Sequence, residues 1–373
     1  MTRSPIITVS RGRFSSTATQ VLEQVRAAGR ASRDEIAAAT GLSIATVGRT
    51  VALLVERRLL RERPDLARPG ATGRPGVPVE IDPDRYLTIG VHVGRRIATV
   101  ALGDLTGRVL TSATVRRPLG AEPDLEELSR QAAALLGSHP RRVPLAAGLV
   151  APWREIGQVP GEAEAALHEL TGLPVRTGDH ISAVAAAEFL HRRRPRRELT
   201  AAEGRALTLY VYARDTFGWS VAVDRGVQTD VTRAASLSHF PTGSDVPCPC
   251  GRTGCLAATV EAREGAERAR LLGATAGAVR DMISPDRVVL VGQAFTGDPG
   301  LLDVVVAAYE GRTALAHPVP VSFTRFGSDI QAISACTVAL GPVLDDPLAC
   351  VELTGVELTC LEADGACQRR RGA

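Results

Sequence analysis

The sequence predicts a small all-α head of winged helix-turn-helix type followed by a much larger α/β body of two lobes. Three observations carry that prediction. Residues from about Thr17 to Arg63 fall into three short helical segments parted by Gly29 and Gly41, with an Arg-, Pro- and Gly-rich run behind them. From Tyr86 onward, strand patterns alternate with helical stretches. One Pro/Gly-rich stretch, SHFPTGSDVPCPCGRTGC, gathers one His and three Cys. The 373 residues suit two or three domains, and 45% hydrophobic against 23% charged residues is enough to bury large cores.

Composition narrows the function classes. No apolar stretch approaches the ~20 residues that a membrane-spanning helix needs, and MTRSPIITVSRGRF lacks the apolar core of a secretory signal. The expectation is a cytoplasmic protein with no membrane partner. There is no Lys and no Asn, so all 44 basic residues are Arg. This excludes any mechanism that needs a catalytic Lys, such as a Walker-type phosphate loop. The net charge of +3 is unevenly spread: residues 1–78 hold 13 Arg against 6 acids, a balance of +7, and the remainder is at −4. A basic head on a mildly acidic body points the head at a polyanion, although a solvated basic surface has the same signature.

Each head element has a local reason. TATQVLEQVRAAG sets Val21, Leu22 and Val25 on one helix face and stops at Gly29. The second segment opens on Ser32-Arg33-Asp34-Glu35, a capping box in which Ser and Glu side chains satisfy free backbone N–H groups, and it ends at Gly41. Ser43 can cap the third segment, where Val47, Val51 and Leu54 recur at i, i+4 and i+7. Two short helices joined through Gly41-Leu42-Ser43 make a helix-turn-helix, whose last helix enters the major groove N-terminus first. The outward candidates are Ser43, Ala45, Thr46 and Arg49, with Arg49 able to reach a guanine edge or a phosphate. Gly48 within this helix costs about 1 kcal/mol relative to Ala. RERPDLARPGATGRPGVPVEI then reads as a basic wing and linker ending near Asp82-Pro83, with Arg61, Arg63, Arg68 and Arg74 as candidate phosphate or minor-groove contacts. An ordinary three-helix bundle is the alternative; the capping box, short turn and charge favour double-stranded DNA. The expected division is 1–78 for head and linker and 79–373 for the body.

In the body, YLTIGVHVGRRIATVALGD and GRVLTSATV read as three strands joined by turns at Gly94-Arg95-Arg96 and Leu105-Thr106-Gly107. A helix at about Asp124–Leu136 and the strand VPLAAGLV follow. ALTLYVYA, GWSVAVDRG and DRVVLVGQAF are later strands, alternating with helices at ISAVAAAEFLHRRR and near Thr259–Leu272. Within the loop 239–255, His239, Cys248, Cys250 and Cys255 form a Cys₃His set suited to tetrahedral zinc, with Gly251 and Gly254 letting the backbone fold tightly. Four protein ligands leave no open position, so the expected zinc is structural. A disulfide or unpaired core thiols are the alternatives. Cys336, Cys350, Cys360 and Cys367 show no such spacing and read as ordinary buried or tail residues.

Taken together, these motifs resemble the ROK family (repressors, open reading frames and kinases), in particular its regulators similar to the xylose and N-acetylglucosamine repressors. CPCGRTGCL and SRDEIAAATGLSIATV are the most specific stretches; IGVHVGRRIATVALGDLTGRVL and PDRVVLVGQAFTGDP add to them. The resemblance covers nearly the whole chain. It implies an actin-like ATPase (ribonuclease H-like) fold with two lobes around a cleft, a homodimer or tetramer, operator binding and a response to sugars.

The resemblance also shows where this chain departs. Kinase members carry Asp, Gly and Thr on a Gly-rich turn that cradles ATP phosphates; the matching stretch here is His92-Val93-Gly94-Arg95-Arg96. Their catalytic Asp on a later helix is matched by His180 in Asp179-His180-Ile181-Ser182-Ala183. Two further family carboxylates are matched by Ser236 and Ala257, and Ser238 stands for a Gly. Asp179, His180, Ser236 and His239 remain as a candidate polar effector pocket for a sugar-like or changed ligand. The expectation is a zinc-containing transcriptional repressor with degenerate kinase and sugar sites and no enzyme activity. A sugar kinase with an appended DNA-binding head and a ligand-independent regulator are the alternatives. The run Arg192–Arg197 reads as a solvated loop, and the tail from Ala349 gives no functional signal.

Overall fold

Capping side chains set the boundaries of the head helices in the computed structural model, which describes residues 16–66, 76–119, 121–191, 207–223, 226–228, 236–311, 313, 315–324 and 326–353. Helix α1 (Thr17–Ala28) starts where Ser16 Oγ accepts from Thr19 N and stops at Gly29, φ 74°. Helix α2 (Arg33–Thr40) opens on the expected capping box: Ser32 N donates to Glu35 Oε2 at 2.9 Å and Glu35 N to Ser32 Oγ at 3.2 Å. Gly41 turns the chain at φ 73°, and Ser43 caps helix α3 (Ile44–Glu56). The α2 and α3 axes are bent by 118°, within the range of helix-turn-helix pairs. Val21, Leu22, Val25, Ile36, Val47, Val51 and Leu54 form the buried seam between the three helices.

Strand β1 (Leu60–Glu62) pairs antiparallel with β2 (Val79–Ile81), placing Arg61 opposite Glu80. The division expected after residue 78 thus falls just before a strand that belongs to the same ribbon as β1. Arg68 and Arg74 lie outside the described residues.

The first lobe is a five-stranded sheet. Strands β3 (Tyr86–Val93), β4 (Ile97–Asp104) and β5 (Val109–Arg116) meander antiparallel. Helix α4 (Leu125–Gly137) leads to β6 (Val143–Ala151), and helix α5 (Pro160–Thr171) to β7 (Val175–Asp179); both strands add parallel to β3, giving the order β5-β4-β3-β6-β7. Helix α6 (His180–Leu190) crosses to the second lobe. That lobe holds β8 (Leu207–Ala213), β9 (Phe217–Val223) and β10 (Gly226–Gln228), then helices α7 (Leu256–Glu261) and α8 (Gly265–Ile283). It continues through β11 (Arg287–Val291), α9 (Gln293–Thr296), α10 (Leu302–Tyr309) and β12 (Val321–Phe323), with the order β10-β9-β8-β11-β12. The two sheets share one strand order, three antiparallel strands extended by two parallel ones. The single helix expected near Thr259–Leu272 is two helices, because the chain turns between Ala262 and Gly265, where φ is 51°.

Helix α11 (Ile330–Ala339) returns to the first lobe. Gly90 and Gly148, partners across β3 and β6, form its seat: a Cβ on either would come within 2.5 Å or 2.4 Å of the α11 backbone at Cys336 and Ala339. Helices α6 and α11 pack on each other, α6 against β9 and α11 against β3 and β6. Helices α12 (Gly341–Asp345) and α13 (Pro347–Leu353) then pack on α1. The tail read as featureless from Ala349 therefore begins inside a docked helix, with Cys350 buried, while residues beyond Leu353, including Cys360 and Cys367, lie outside the described residues. The Arg192–Arg197 run lies outside them too. One apolar cluster runs from α1, α2 and α3 through α12 and α13 into α6, so head and body share a core. No single helix among the described residues is long and apolar enough to cross a membrane.

Candidate metal centre, nucleic-acid face and interlobe cleft

The loop after β10 folds back on itself through paired bridges, Pro241 with Cys255 and Pro247 with Thr253. Gly251 (φ 86°) and Gly254 (φ 69°) make its turns, and a Cβ on Gly254 would meet the Ser244 carbonyl oxygen at 2.5 Å. This fold brings the ligand atoms of His239, Cys248, Cys250 and Cys255 within 4.8 Å of one another. Cys250 Sγ and Cys255 Sγ are 3.6 Å apart, and Cys248 Sγ and His239 Nδ1 are 3.7 Å apart. Sulfur atoms about 2.3 Å from a tetrahedral zinc are separated by roughly 3.8 Å, so these spacings match edges of such a tetrahedron. They are far too long for a disulfide of about 2.05 Å. The donor set therefore fits zinc. The Arg252 N–H, then its guanidinium, pulls the Cys250 thiol down to about 6, while burial pushes Cys255 up to about 11. A divalent cation would bring all three thiols to thiolate.

On the head, the N-terminus of α3 faces outward: Ser43, Ala45 and Arg49 are exposed and Thr46 is half-buried. Ile44, also exposed, joins this face and was missed by the outward set read from the sequence. The helix carries no acid in its first turn, so its positive dipole end is unopposed.

The wing arginines are placed differently. Arg61 Nε donates to Glu80 Oε1 at 2.8 Å and Nη1 to Asp84 Oδ2 at 2.9 Å. Arg63 Nη1 donates to both Glu80 oxygens at 2.8 Å, and its Nε and Nη2 donate to Asp65 at 2.9 and 2.6 Å. Burial would raise the Glu80 carboxyl, but the hydrogen bonds from Arg63 and Arg61 outweigh it and hold it below its usual range. Arg33, Arg57 and Arg58 have carboxylate partners as well. Among the described head residues, Arg30 and Arg49 are exposed arginines with no carboxylate within 4.0 Å.

At the cleft, Asp179 ends β7 and caps α6, accepting from Ile181 N at 2.9 Å. His180, the first α6 residue, is buried, with one ring nitrogen hydrogen-bonded and the other, Nδ1, beside a carboxylate without a hydrogen bond to it. Its Nε2 is 2.7 Å from Thr216 Oγ1, its Nδ1 3.4 Å from Asp179 Oδ2, and the Tyr212 ring meets it edge-on at 5.3 Å. Burial alone would lower its pKa, but the Asp179 carboxylate outweighs this and leaves it raised. His92 on β3 is also buried; desolvation first, then the charges of His180 and Arg214, push it down to about 3. In the β3–β4 turn, Gly94 N bonds Ile97 O at 2.8 Å and Arg117 Nη1 bonds Gly94 O at 2.6 Å. Arg95 Nη1 crosses to Asp215 O in the other lobe at 3.2 Å.

The four candidate pocket residues are only partly gathered. Asp179 and His180 meet. Ser236 is exposed and bridges Gly218 on β9, two residues beyond the Thr216 that holds His180. His239 turns its Nδ1 to Cys248. Thr216 and Arg214 were not found from sequence; their one signal was a polar Arg-Asp-Thr turn between two strands.

No family model matches the chain. Transcriptional regulators of Mycobacterium bovis and Mycobacterium tuberculosis H37Rv are each 32% identical to it over 401 aligned positions, spanning 91% of this chain and 88% of the relative. The crystal structure of a ROK family transcriptional regulator, a homologue of the E. coli MLC protein, superposes with a TM-score of 0.67 at 17% identity, over 90% of this chain and 98% of that one. ROK hexokinase from Thermus thermophilus superposes at 0.53 and 22% identity, its whole length covering 69% of this chain. At these identities the two structures speak for the fold.

Proposed function

This chain belongs to the ROK family of transcriptional regulators, and from that premise we propose that it is a repressor that binds double-stranded operator DNA as a homodimer. The carrying observation is the head geometry: two capped helices bent by 118°, with the α3 N-terminus presenting Ser43, Ala45, Thr46 and Arg49 to solvent. These four residues enter the major groove. Arg61 and Arg63 brace the wing through Glu80, Asp65 and Asp84, and Arg74 is a further phosphate contact. The protein acts in the cytoplasm.

The proposal includes a structural zinc held by His239, Cys248, Cys250 and Cys255, which would cross-link the loop to the start of α7. It includes no phosphoryl transfer. Two arginines occupy the turn where a phosphate cradle needs small residues, and His180 is buried with its Nε2 already on Thr216 Oγ1. The pocket of Asp179, His180, Ser236 and His239 is a weakened sugar site, since three carboxylates of the kinase pattern are matched by His180, Ser236 and Ala257.

The test is fluorescence anisotropy of the full-length chain on DNA fragments recovered from its binding sites in cells. Binding should favour palindromic sites and fall in Thr46→Ala and Arg49→Ala. Unchanged specific binding in both variants would overturn the assignment of α3. Removing the head is a poorer test, because α1 shares a core with α12 and α13. An ATP-consumption assay across common sugars should read zero.

A further inference from the structure

A cavity of about 520 Å³ lies at the far ends of the elements that reach the interlobe cleft. Helix α6 starts at His180 in the cleft and leads to His191 on this cavity, about 16 Å away along the helix. Thr106 and Gly107 of the β4–β5 turn form one rim, and Phe326 and Asp329, on the segment leading into α11, form the other. His191 stands edge-on to Phe326 at 5.5 Å, and a Cβ on Gly107 would meet the His191 ring at 2.9 Å, so these three close one end.

Residues 108–112 all line the cavity. Successive residues of a strand point to opposite faces of its sheet, so a cavity that touches this whole run follows the edge of β5. That strand is the last of its sheet, and no strand among the described residues pairs with its outer side. VLTSATVR holds no Pro and no acid, and its one Arg comes last, so β5 lacks the guards that usually close an edge. Opposite charges mark the ends of the lined stretch. Arg108 is exposed, and among the described residues no carboxylate lies within 4.0 Å of it. Asp329 is exposed too, and its carboxylate accepts from the Ser328 hydroxyl at 3.5 Å. Ala332, one turn after Asp329, packs with Ala101, the cross-strand partner of Ser112, which sets Asp329 toward the end away from Arg108. Half-buried Val109, Leu110, Phe326 and Ile333 supply an apolar wall.

A lone anion would satisfy Arg108 and be repelled by Asp329; a lone cation meets the reverse. A sugar would set hydroxyls against Phe326 and Ile333. We propose that the cavity binds a short extended peptide, added antiparallel to the edge of β5. Its C-terminal carboxylate sits on Arg108, its N-terminal ammonium on Asp329, and alternate apolar side chains on the wall. Strand addition of this kind takes affinity from main-chain hydrogen bonds and selectivity from alternate side chains. The lined stretch is about 13 Å long at 3.4 Å per residue, which suits three or four peptide residues. The proposal stands independently of DNA binding.

The probe is leucyl-seryl-leucine, titrated calorimetrically into the zinc-loaded full-length chain. One saturable site per chain is expected, at about 1 mM or tighter. Amidating the probe's C-terminus should weaken it about threefold to tenfold; Arg108→Gln should weaken the free probe equally and leave the amidated one unchanged. Acetylating the N-terminus and Asp329→Asn should behave as a second such pair. Only alternate N–H groups of a strand face its neighbour, so methylating one of the probe's two peptide nitrogens should abolish binding and methylating the other should not. Arg130→Gln on distant α4 should alter nothing. Melting curves confirm that the variants fold; if one does not, the methylated probes carry the test. Full affinity in both methylated probes or in the folded Arg108 and Asp329 variants overturns the proposal, as does absence of saturation by about 10 mM. The Arg49→Ala chain should retain full probe binding, so this site and the DNA reading fail separately.

Discussion

Replacing Arg49 by Gln should flatten the salt dependence of operator binding, and replacing Arg63 by Gln should not. The two side chains are alike in charge and both lie on the head, but their surroundings differ. Arg63 donates to Asp65 and Glu80 at 2.6–2.9 Å, so it must leave two carboxylates before it can neutralise a phosphate. Arg49 is exposed on α3 with no such partner. Each neutralised phosphate contributes about −0.9 to the slope of log affinity against log salt, so two copies of Arg49 in a dimer contribute about −1.8. Across a fourfold rise in salt, wild type should then lose about twelvefold more affinity than Arg49→Gln. At low salt the variant should bind about 150-fold or more weakly, taking about 1.5 kcal/mol as the lower bound for each charge-assisted bond. Anisotropy of a labelled operator over a salt series reads both numbers. If Arg63→Gln flattens the slope as much as Arg49→Gln, the pairing argument is wrong. If Arg49→Gln relaxes sequence preference at an unchanged slope, the side chain reads a base edge instead of a phosphate.

Three other outcomes are expected. Purified protein should hold about one zinc per chain, and chelation or Cys250→Ser should lower the melting temperature markedly, since structural zinc contributes on the order of 10 kcal/mol of apparent binding free energy; metal-free protein melting at the same temperature would rule out a stabilising role. With His92 held at about 3 against an ordinary 6.5, the unfolded chain binds a proton that the folded chain refuses, so stability falls as pH drops from 6.5 toward 3, by up to about 1.4 kcal/mol per unit. Raised His180 acts oppositely, its contribution being present below 6.5 and lost as pH rises through its elevated value. Melting curves of wild type and His92→Gln should therefore diverge in acid, and parallel curves would contradict this. Calorimetry with glucose, xylose and N-acetylglucosamine should show millimolar binding or none, because on the proposed reading His180, Ser236 and Ala257 stand where kinase members have groups whose charge-assisted bonds are worth about 1.5–3 kcal/mol each; micromolar binding of any of them would refute the weakened pocket.

What was legible in the sequence was local. Ser32 and Glu35 are three residues apart, Gly41 follows directly on α2, and the zinc ligands fall within one loop, so short-range chemistry sets each of them. Beyond that range the sequence was silent. The wing carried a basic signature because Arg61 and Arg63 stand close together, while Glu80, the acid they share, arrives only through β1–β2 register, beside the local partner Asp65. The seat of α11 depends on Gly90 and Gly148 meeting as cross-strand partners, although neither looks unusual in its own strand. Arg108, His191 and Asp329 lie in three segments that only tertiary folding brings to one cavity.

The same long-range packing fixes how the head sits on the body. Thr19 Oγ1 on α1 donates to Asp345 O on α12 at 3.0 Å, and the Asp345 carboxylate pairs with Arg176 on β7. Strand β7 ends at Asp179, which caps α6 and holds His180. A second tie runs from Tyr86, the first residue of β3, whose hydroxyl donates to the Arg57 carbonyl at the end of α3 at 2.9 Å. Around both ties the apolar cluster is continuous from Val21 and Leu22 to Val343 and Cys350. A head joined by a loose linker would bind each half-site independently of its body. Here, turning α3 relative to the first lobe would break the Tyr86 bond and part a shared core, so in the proposed dimer the spacing of the two α3 helices would be set by how the bodies associate. On the proposed reading, a ligand that changed the angle between the lobes would act on operator spacing through these contacts, without touching a residue of the proposed DNA face.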